Sequence, residues 1–473
     1  MSTVALIVDA VASHIYSSIG VARRLQRRGF DVEYWGIARN GSDTLIKSQG
    51  FCFHALDGLW SRYEEEIRLP TDLNVFNVWF RGRALLSLAR ARRARARRLC
   101  HALDQLEVSL DRRLAESRPA FAIVDPFLVA YYPLLKQRGI TTVVLSTKPL
   151  PVKDPAVPPY DSSLMPLDSA ISRAFIAGAW RLRQLQDVRY RTVCAAARLA
   201  RLHTYDAVLR ETARRTNFPL RREIVRRWVQ PDVHFRGVQE WALWTPETDL
   251  PRKRRLPANI HYIGPSVDLE RRQRQVPFAC EPDQRLIYVA VGTVRFRWKD
   301  NVPFLRKVIT AFSDVSGVLV VISTGDERAT KVLGTPPEHI RLFDFLPQLE
   351  ILKVASLVIT HAGAGTYREA IEKCVPLLAY PRNHDQCGNA ARIEYHGLGL
   401  RGRRKTDTPE QIRSKALRIL DDPRFRERLA ALRATVSRRE EPLLSDALAA
   451  IKAEPQPASI EIPRPTGRVA AAS

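Results

Sequence analysis

Residues 345–399 read FLPQLEILKVASLVITHAGAGTYREAIEKCVPLLAYPRNHDQCGNAARIEYHGLG, and this stretch decides the fold. A short apolar run at residues 357–360 leads into the glycine-containing turn HAGAGT, where a helix is predicted to begin near Thr366, and a second apolar run follows at residues 377–380. A strand, a helix and a second strand in so short a stretch form a βαβ unit, which implies a parallel sheet. The runs are almost continuously apolar, as is typical of strands that are buried on both faces.

The same alternation extends outward from this stretch through most of the chain. At the N-terminus, a predicted strand is followed by a helix that Ser17 can cap and that Gly29 ends, and then by a second strand. The predicted strands outside residues 345–399 lie at 4–9, 31–35, 121–124, 142–146, 285–291, 317–323 and 340–343. Helices are predicted near 17–28 and 129–138, and a helical region at 171–227.

A proline-broken, basic stretch at residues 245–283 separates two such series of strands and helices, and its composition is typical of a linker. The sequence therefore predicts an α/β protein of two doubly wound, Rossmann-like domains. The predicted divisions are an N-terminal domain at 1–265, a linker at 266–283, a C-terminal domain at 284–407, C-terminal helices at 408–452 and a disordered tail at 453–473.

Composition narrows the class of protein. The 473 residues are 45% apolar, which is typical of globular domains and excludes a disordered chain. Apolar runs are too short for a membrane span, and the N-terminus lacks the features of a signal peptide. The six cysteines are far apart and form no CxxC pair, which favours free thiols in a reducing cytoplasm over a zinc site or a disulfide framework.

The net charge of +25 attracts anions in general. Charge alone does not choose between nucleic acid, an acidic membrane and a phosphorylated small molecule. Because no helix-turn-helix, zinc finger or RNA-recognition signature accompanies the charge, we expect no nucleic-acid partner.

The turn at residues 361–366 has the chemistry of a phosphate site. Glycines such as Gly363 and Gly365 let backbone N–H groups approach a phosphate, and the following helix N-terminus favours negative charge. His361 and Thr366 add side-chain donors. Further along, the sequence offers Glu369 to a ribose, Asp385 and Gln386 to sugar hydroxyls, and Phe345 and Gln348 to a base.

Together these residues resemble the C-terminal donor-binding signature of family 1 (UDP-glycosyltransferase type) enzymes with the GT-B fold. The resemblance implies a sugar nucleotide held by the second domain, with no metal ion and no cofactor besides this co-substrate. It implies that Phe345 stacks on the base where most relatives have Trp, and that Gln348 contacts the base. It assigns the diphosphate to His361 and Thr366, the ribose to Glu369 and the sugar to Asp385 and Gln386. Thr293 follows Gly292 in a loop that resembles the family's loop facing the diphosphate.

A second part of the resemblance covers residues 11–36 and implies a general base. In the family a His after the first strand takes the proton of the acceptor hydroxyl, and an Asp at the end of a later strand orients the imidazole. The corresponding residues here are His14 and Asp125. Such a pair suits a hydroxyl whose pKa lies far above 7, because the carboxylate fixes the tautomer and stabilises the imidazolium. Ser13 and Ser17 depart from the family's usual Gly and Pro in this loop.

The predicted function is that of an inverting, metal-independent glycosyltransferase that moves a hexose, with glucose favoured, from a UDP- or dTDP-sugar to a hydroxyl of a small apolar acceptor. One alternative is a non-catalytic, sugar-nucleotide-binding partner protein. Another is a membrane-peripheral lipid glycosyltransferase, because a predicted helix could bind an anionic membrane through its arginines. These arginines are Arg90, Arg92, Arg93, Arg95, Arg97 and Arg98.

Overall fold

The computed structural model describes residues 1–57, 82–199, 205–227, 233–281, 283–292 and 298–453. Two parallel sheets dominate this part of the chain, one in each half, and helices cover their faces. The prediction of two doubly wound α/β domains is confirmed. The strands of the first half are β1 (Thr3–Ile7), β2 (Asp31–Gly36), β3 (Cys52–Ala55), β4 (Phe121–Val124), β5 (Thr142–Ser146), β6 (Ile224–Arg227), β7 (Val233–Phe235), β8 (Gln239–Ala242) and β9 (Ile260–Tyr262). Those of the second half are β10 (Arg285–Ala290), β11 (Val318–Ser323), β12 (Ile340–Phe343), β13 (Leu357–Thr360), β14 (Leu377–Ala379) and β15 (Gly399–Arg401).

Helices connect the strands of each sheet. In the first half they are α1 (Ala12–Arg27), α2 (Ser42–Ser48), α3 (Gly82–Glu116), α4 (Tyr131–Gln137), α5 (Ala170–Leu199), α6 (Tyr205–Arg215) and α7 (Leu220–Glu223). In the second half they are α8 (Trp298–Phe312), α9 (Glu327–Leu333), α10 (Gln348–Leu352), α11 (Ala364–Glu372), α12 (Asp385–Tyr395), α13 (Pro409–Asp421) and α14 (Arg424–Ala453).

Strand order fixes where a ligand can bind. The first sheet has the order β3-β2-β1-β4-β5-β8-β9, and the second has β12-β11-β10-β13-β14-β15. The order reverses between β1 and β4 in the first sheet and between β10 and β13 in the second. In open parallel sheets, a crevice forms at such a switch point outside the carboxyl ends of the strands. The loops after these four strands are therefore the expected site.

Two local predictions are wrong. Helix α1 begins at Ala12, not near Ser17, so His14 lies in its first turn and the Ser17 hydroxyl bonds the carbonyl of Ser13 instead of capping the helix. Residues 224–227 form β6, which pairs with β7, although this region was predicted to be helical. The proline-rich stretch contains β9, which pairs with β8 and completes the first sheet.

The two halves are tied together at several places. Along the chain, the last strand of the first sheet ends at Tyr262 and the first strand of the second sheet begins at Arg285. The predicted boundaries of the domains and of the linker between them stay a prediction. Helix α14 returns to the first domain, where Leu444, Ala447 and Leu448 pack into the core around β1. None of the helices within the described residues is long and apolar enough to cross a lipid bilayer.

Candidate active site

A cavity of about 1010 Å³ opens between the two sheets at their switch points. Its first wall includes the start of α1 and the loops after β4 and β5, and its second includes the loops after β10, β13 and β14. The first-domain residues that line the cavity include Ser13, His14, Tyr16, Phe127 and Lys148. Those of the second domain are Gly292, Phe345, Gln348, His361, Gly363, Gly365, Thr366, Glu369, Asp385 and Gln386.

His14 and Asp125 meet at the first wall, although they are 111 positions apart in the sequence. The distance between His14 Nδ1 and Asp125 Oδ2 is 2.6 Å. The other carboxylate oxygen, Oδ1, accepts the Phe127 backbone N–H at 2.8 Å, which fixes the carboxylate. The Phe127 ring meets the imidazole edge-on at 5.0 Å. Because a carboxylate only accepts, Nδ1 carries the proton in the neutral imidazole and Nε2 is left as the basic atom.

Charge sets the protonation of His14. Burial alone would lower the pKa of the imidazole, but the charge of Asp125 and its hydrogen bond outweigh burial, so the pKa is raised above its usual value. Asp9 also raises this pKa, and Lys148 lowers it. The pair can therefore accept a proton and hold it as an imidazolium.

The second wall contains the glycine turn, in which His361 is the largest side chain. A Cβ on Gly363 would lie 2.7 Å from His361 Nε2, and one on Gly292 would lie 2.9 Å from the same atom. Gly292 also has a φ of +96°. Both positions are therefore restricted to glycine by the imidazole that lies over them. Gly363 is the N-cap residue of α11, and no side chain accepts a capping hydrogen bond from the first turn of this helix. The backbone N–H groups at this N-terminus can therefore donate to a ligand.

His361 is neutral at pH 7. Burial, together with the charges of Arg404 and Arg382, lowers the pKa of its imidazole to about 4, although a hydrogen bond to the backbone of Ala290 raises it. His361 Nδ1 lies 3.4 Å from the Ala290 carbonyl oxygen, which can only accept.

Glu369 is enclosed by polar partners. Gln348 Nε2 donates to its Oε2 at 2.6 Å, and Arg271 Nη2 donates to its Oε1 at 2.7 Å. Gln348 also approaches the Thr366 hydroxyl at 3.4 Å. The Arg271 guanidinium lies over the Tyr16 ring at 4.4 Å and so bridges the two walls.

Three further predicted residues, Phe345, Asp385 and Gln386, also line the second wall. Phe345 is largely exposed. Asp385 begins α12, where burial raises the pKa of its carboxyl, and it accepts a hydrogen bond from Asn389. Gln386 accepts the backbone N–H of Arg382 at 3.0 Å. Thr293 lies outside the described residues.

Ten of the predicted site residues line one cavity, and Asp125 is buried behind His14. Sequence reasoning missed Arg271, Arg368 and Lys148, which also line the cavity. Arg368 is buried, which lowers the pKa of its guanidinium to about 10, and it donates to the Ser17 hydroxyl and to the Pro265 carbonyl across the cleft. Because Arg368 lies between His361 and Glu369 in the motif, the sequence could have predicted that it belongs to the site. Arg271 stands in a run of linker arginines, and nothing in the sequence distinguishes it.

Known proteins share this architecture and part of this sequence. Residues 306–444 match the family model of the erythromycin biosynthesis protein CIII-like, C-terminal domain. The oleandomycin glycosyltransferase of Streptomyces antibioticus is 32% identical over 156 residues, which are 33% of this chain and 35% of that protein. The zeaxanthin glucosyltransferase of Pantoea ananas is 28% identical over 211 residues, which are 43% of this chain and 46% of that protein. The matched part of the chain thus spans about a third to a half of these relatives.

Solved structures match over nearly the whole chain. The glycotransferase of kitacinnamycin has a TM-score of 0.62 and 17% identity over 95% of this chain and 98% of its own. The glycosyltransferase VinC in complex with DTDP has a TM-score of 0.56 and 16% identity over 94% of this chain and 100% of its own. At these identities the likeness defines the fold, which is GT-B. Together with the match at residues 306–444, it makes this chain similar to glycosyltransferases of the family 1 type.

Proposed function

We propose that this chain is an inverting glycosyltransferase that moves a hexose from a nucleoside diphosphate sugar to the hydroxyl of a small apolar acceptor. The observation that carries the proposal is a single cavity with a His–Asp pair on one wall and a glycine turn at a helix N-terminus on the other. One wall supplies a base, and the other supplies donors for a diphosphate.

The geometry of His14 supports its role as general base. Its Nδ1–H donates to Asp125, so Nε2 would take the proton of the acceptor hydroxyl as the oxygen attacks the anomeric carbon. The bond to the diphosphate oxygen breaks as the new bond forms. Because the base and the donor site lie on opposite walls, attack opposite the leaving diphosphate would invert the anomeric centre. The proton then rests on His14, where Asp125 stabilises it.

Positive charge supports diphosphate binding without a metal ion. Arg271, Arg368 and Lys148 line the same cavity as the N-terminus of α11. These groups would oppose the charge that develops on the leaving diphosphate. We assign the ribose to Glu369, the base to Phe345 and Gln348, and the diphosphate to His361, Thr366, Thr293 and the glycines Gly363 and Gly365. We assign the sugar to Asp385 and Gln386.

UDP and dTDP both stay candidates for the donor nucleotide, with glucose as the favoured sugar. Two relatives are named zeaxanthin glucosyltransferases, which supports a glucosyl donor. Two neighbouring structures hold thymidine diphosphate, which supports a dTDP donor. The same relatives are consistent with an apolar acceptor. The cysteines whose side chains the structure describes are free thiols, which supports a cytoplasmic location.

Nucleotide binding is the first test. Thermal unfolding is measured with UDP, dTDP, GDP, ADP and UDP-glucose. A ligand at 100 times its dissociation constant stabilises the native state by about 2.7 kcal/mol, so binding of UDP or dTDP is expected to raise the unfolding midpoint visibly. A chain that responds to none of these nucleotides contradicts the proposal.

Turnover separates the enzyme from its alternative, a non-catalytic partner that binds sugar nucleotides. His14→Ala is expected to keep nucleotide binding and to lose hexose transfer to a panel of apolar alcohols and phenols by about 10²–10⁴-fold. The matched control is His101→Ala, which removes an exposed histidine of α3. Equal transfer by both variants would refute a base at His14. The membrane-peripheral alternative through the arginines from Arg90 to Arg98 stays a prediction, because the side chains of residues 82–98 are not among those that the structure describes.

A further inference from the structure

Helix α5 exposes an apolar surface to solvent. Six large apolar side chains on or just before this helix are 54% to 70% exposed: Leu167, Ile171, Phe175, Leu182, Leu185 and Val188. We call them the α5 apolar face. Beyond Met1, the described residues include twelve large apolar side chains that are exposed, so half of them lie here. Ile171, Phe175, Leu182 and Leu185 are spaced so that they share one side of the helix. Gly178 lies between them, and a Cβ there would meet nothing within 4 Å.

The fold does not need this face, because α5 is held by its other side. Ile176 and Trp180 are buried there, and the Trp180 Nε1–H donates to the Val157 carbonyl at 2.8 Å. Arg183 pairs with Asp161 and lies over the Tyr160 ring. An exposed apolar patch of this size usually marks a site that another surface covers.

The charges around the α5 apolar face indicate what kind of surface covers it. Arg173, Arg181 and Arg189 are exposed on the same helix, and its one acidic residue, Asp187, is buried. Asp168, just before the helix, is paired with Arg173 at 3.4 Å. A second copy of the same face would bring arginine against arginine, which is unfavourable. An anionic lipid surface matches both features, because its headgroups attract the arginines and its acyl boundary accepts the apolar side chains.

We propose that the α5 apolar face docks on an anionic lipid bilayer, with the helix lying in the plane of the headgroups. The net charge of +25 would draw the whole chain to such a surface, and the apolar face would fix its orientation. Arg183, Gln186 and Arg189 of α5 also line the cavity. Docking would therefore place the mouth of the cavity beside the bilayer. If the chain has the proposed function, an acceptor dissolved in the lipid could then enter the cavity directly.

The test is flotation of the full chain with vesicles of phosphatidylcholine alone or mixed with phosphatidylglycerol, at low and high ionic strength. The double variant Leu182→Asp, Leu185→Asp is compared with Val332→Asp, Val354→Asp. Val332 and Val354 are exposed apolar residues of the second domain, so the control variant carries the same change of charge. Circular dichroism and the unfolding midpoint establish that both variants fold.

We expect the wild type and the control to float with phosphatidylglycerol vesicles at low ionic strength. We expect the partition coefficient of the α5 variant on these vesicles to be lower than that of the wild type by about tenfold or more. Anionic vesicles should also slow amide hydrogen exchange within residues 171–188 of the wild type, a readout that needs no variant. None of these results depends on nucleotide binding. A failure of the lipid-docking proposal can therefore be distinguished from a failure of the proposed function.

Three outcomes would overturn the inference. The first is a wild type that does not float with anionic vesicles at low ionic strength. The second is an α5 variant that floats as well as the control, which would assign lipid binding to other basic residues. The third is a wild type that is dimeric without lipid while the α5 variant is monomeric, which would make the face an interface between two copies.

Discussion

Asp125 controls the protonation of His14, and its replacement gives a prediction for the pH profile. Catalysis needs neutral His14, so activity should fall as the pH drops through the raised pKa of this imidazole. Asp125→Asn removes the charge that raises this pKa. The acid limb of the kcat profile should therefore move to lower pH, while kcat at its plateau falls by about 10²–10⁴-fold because the tautomer is no longer fixed.

The matched control for Asp125→Asn is Asp161→Asn, because Asp161 also lines the cavity but pairs with Arg183. We expect this variant to leave the acid limb where it is in the wild type. An acid limb that stays in place in Asp125→Asn would show that another group titrates there.

His361 gives a prediction for nucleotide binding. Burial, together with the charges of Arg404 and Arg382, holds the pKa of its imidazole at about 4, so this imidazole is neutral at pH 7. A diphosphate beside the imidazole would raise this pKa, because the anion favours the charged form. Binding of UDP or dTDP should then take up protons, and affinity should rise as the pH falls from 8 to 6.

Calorimetry in buffers of different ionisation enthalpy measures this proton uptake. The control is His361→Gln, which keeps a donor but cannot titrate, and which also accounts for protons taken up by the nucleotide itself. Equal proton uptake by the wild type and this variant would show that His361 stays neutral when the site is filled.

At the scale of single elements, the sequence predicts some strands closely and misses others for a physical reason. Strands β4 and β13 match their predicted bounds because buried parallel strands are continuous apolar runs. Strands β3 and β15 lie at sheet edges and are only partly buried, so their sequences carry no such run. The glycine turn was predicted from local chemistry. Arg271 was not, because its partners Tyr16 and Glu369 are distant in sequence.

The two glycines of the turn at the start of α11 should respond differently to substitution by alanine. A Cβ at Gly365 would meet nothing within 4 Å, whereas one at Gly363 would strike His361. Gly365→Ala should therefore raise the free energy of unfolding by about 0.5–1 kcal/mol, because alanine favours the helix. Gly363→Ala should lower it. Urea unfolding measures both.

Nucleotide affinity then tests whether Gly365 serves the ligand. If a phosphate approaches its backbone, Gly365→Ala is expected to weaken UDP or dTDP binding by about tenfold while the protein becomes more stable. Unchanged affinity in this variant would mean that the phosphate does not approach at Gly365.

For the whole molecule, the decisive contacts join the two domains, and the sequence could not have revealed them. Asp249, just after β8, accepts two hydrogen bonds from Arg392 of α12 at 3.0 and 2.5 Å, across 143 positions. Beside them Trp244 stacks on Tyr367 at 5.1 Å. No periodicity or spacing predicts such a pairing, because it depends on how two separately predicted domains are placed.

Asp249 gives the last prediction, which concerns stability. Burial would raise the pKa of its carboxyl, but Arg392 and Arg252 hold it at about 2, below the unfolded value of 3.8. Its contribution is therefore present above pH 3.8 and is lost as the pH falls through 2. Asp249→Asn leaves Arg392 buried without its charge partner and should lower the free energy of unfolding at pH 7 by about 3–5 kcal/mol. That deficit should shrink towards pH 2.

Urea unfolding of Asp249→Asn is compared with that of Asp421→Asn, which removes the partner of Arg285 in an exposed ion pair. Exposed pairs contribute at most about 1 kcal/mol, so this control should barely change. If Asp249→Asn costs no more than the control, the buried pair does not hold the domains together. Other contacts between the two halves would then account for their attachment, among them the stacked Trp244 and Tyr367, the hydrogen bond from Arg368 to Ser17 and the returning helix α14.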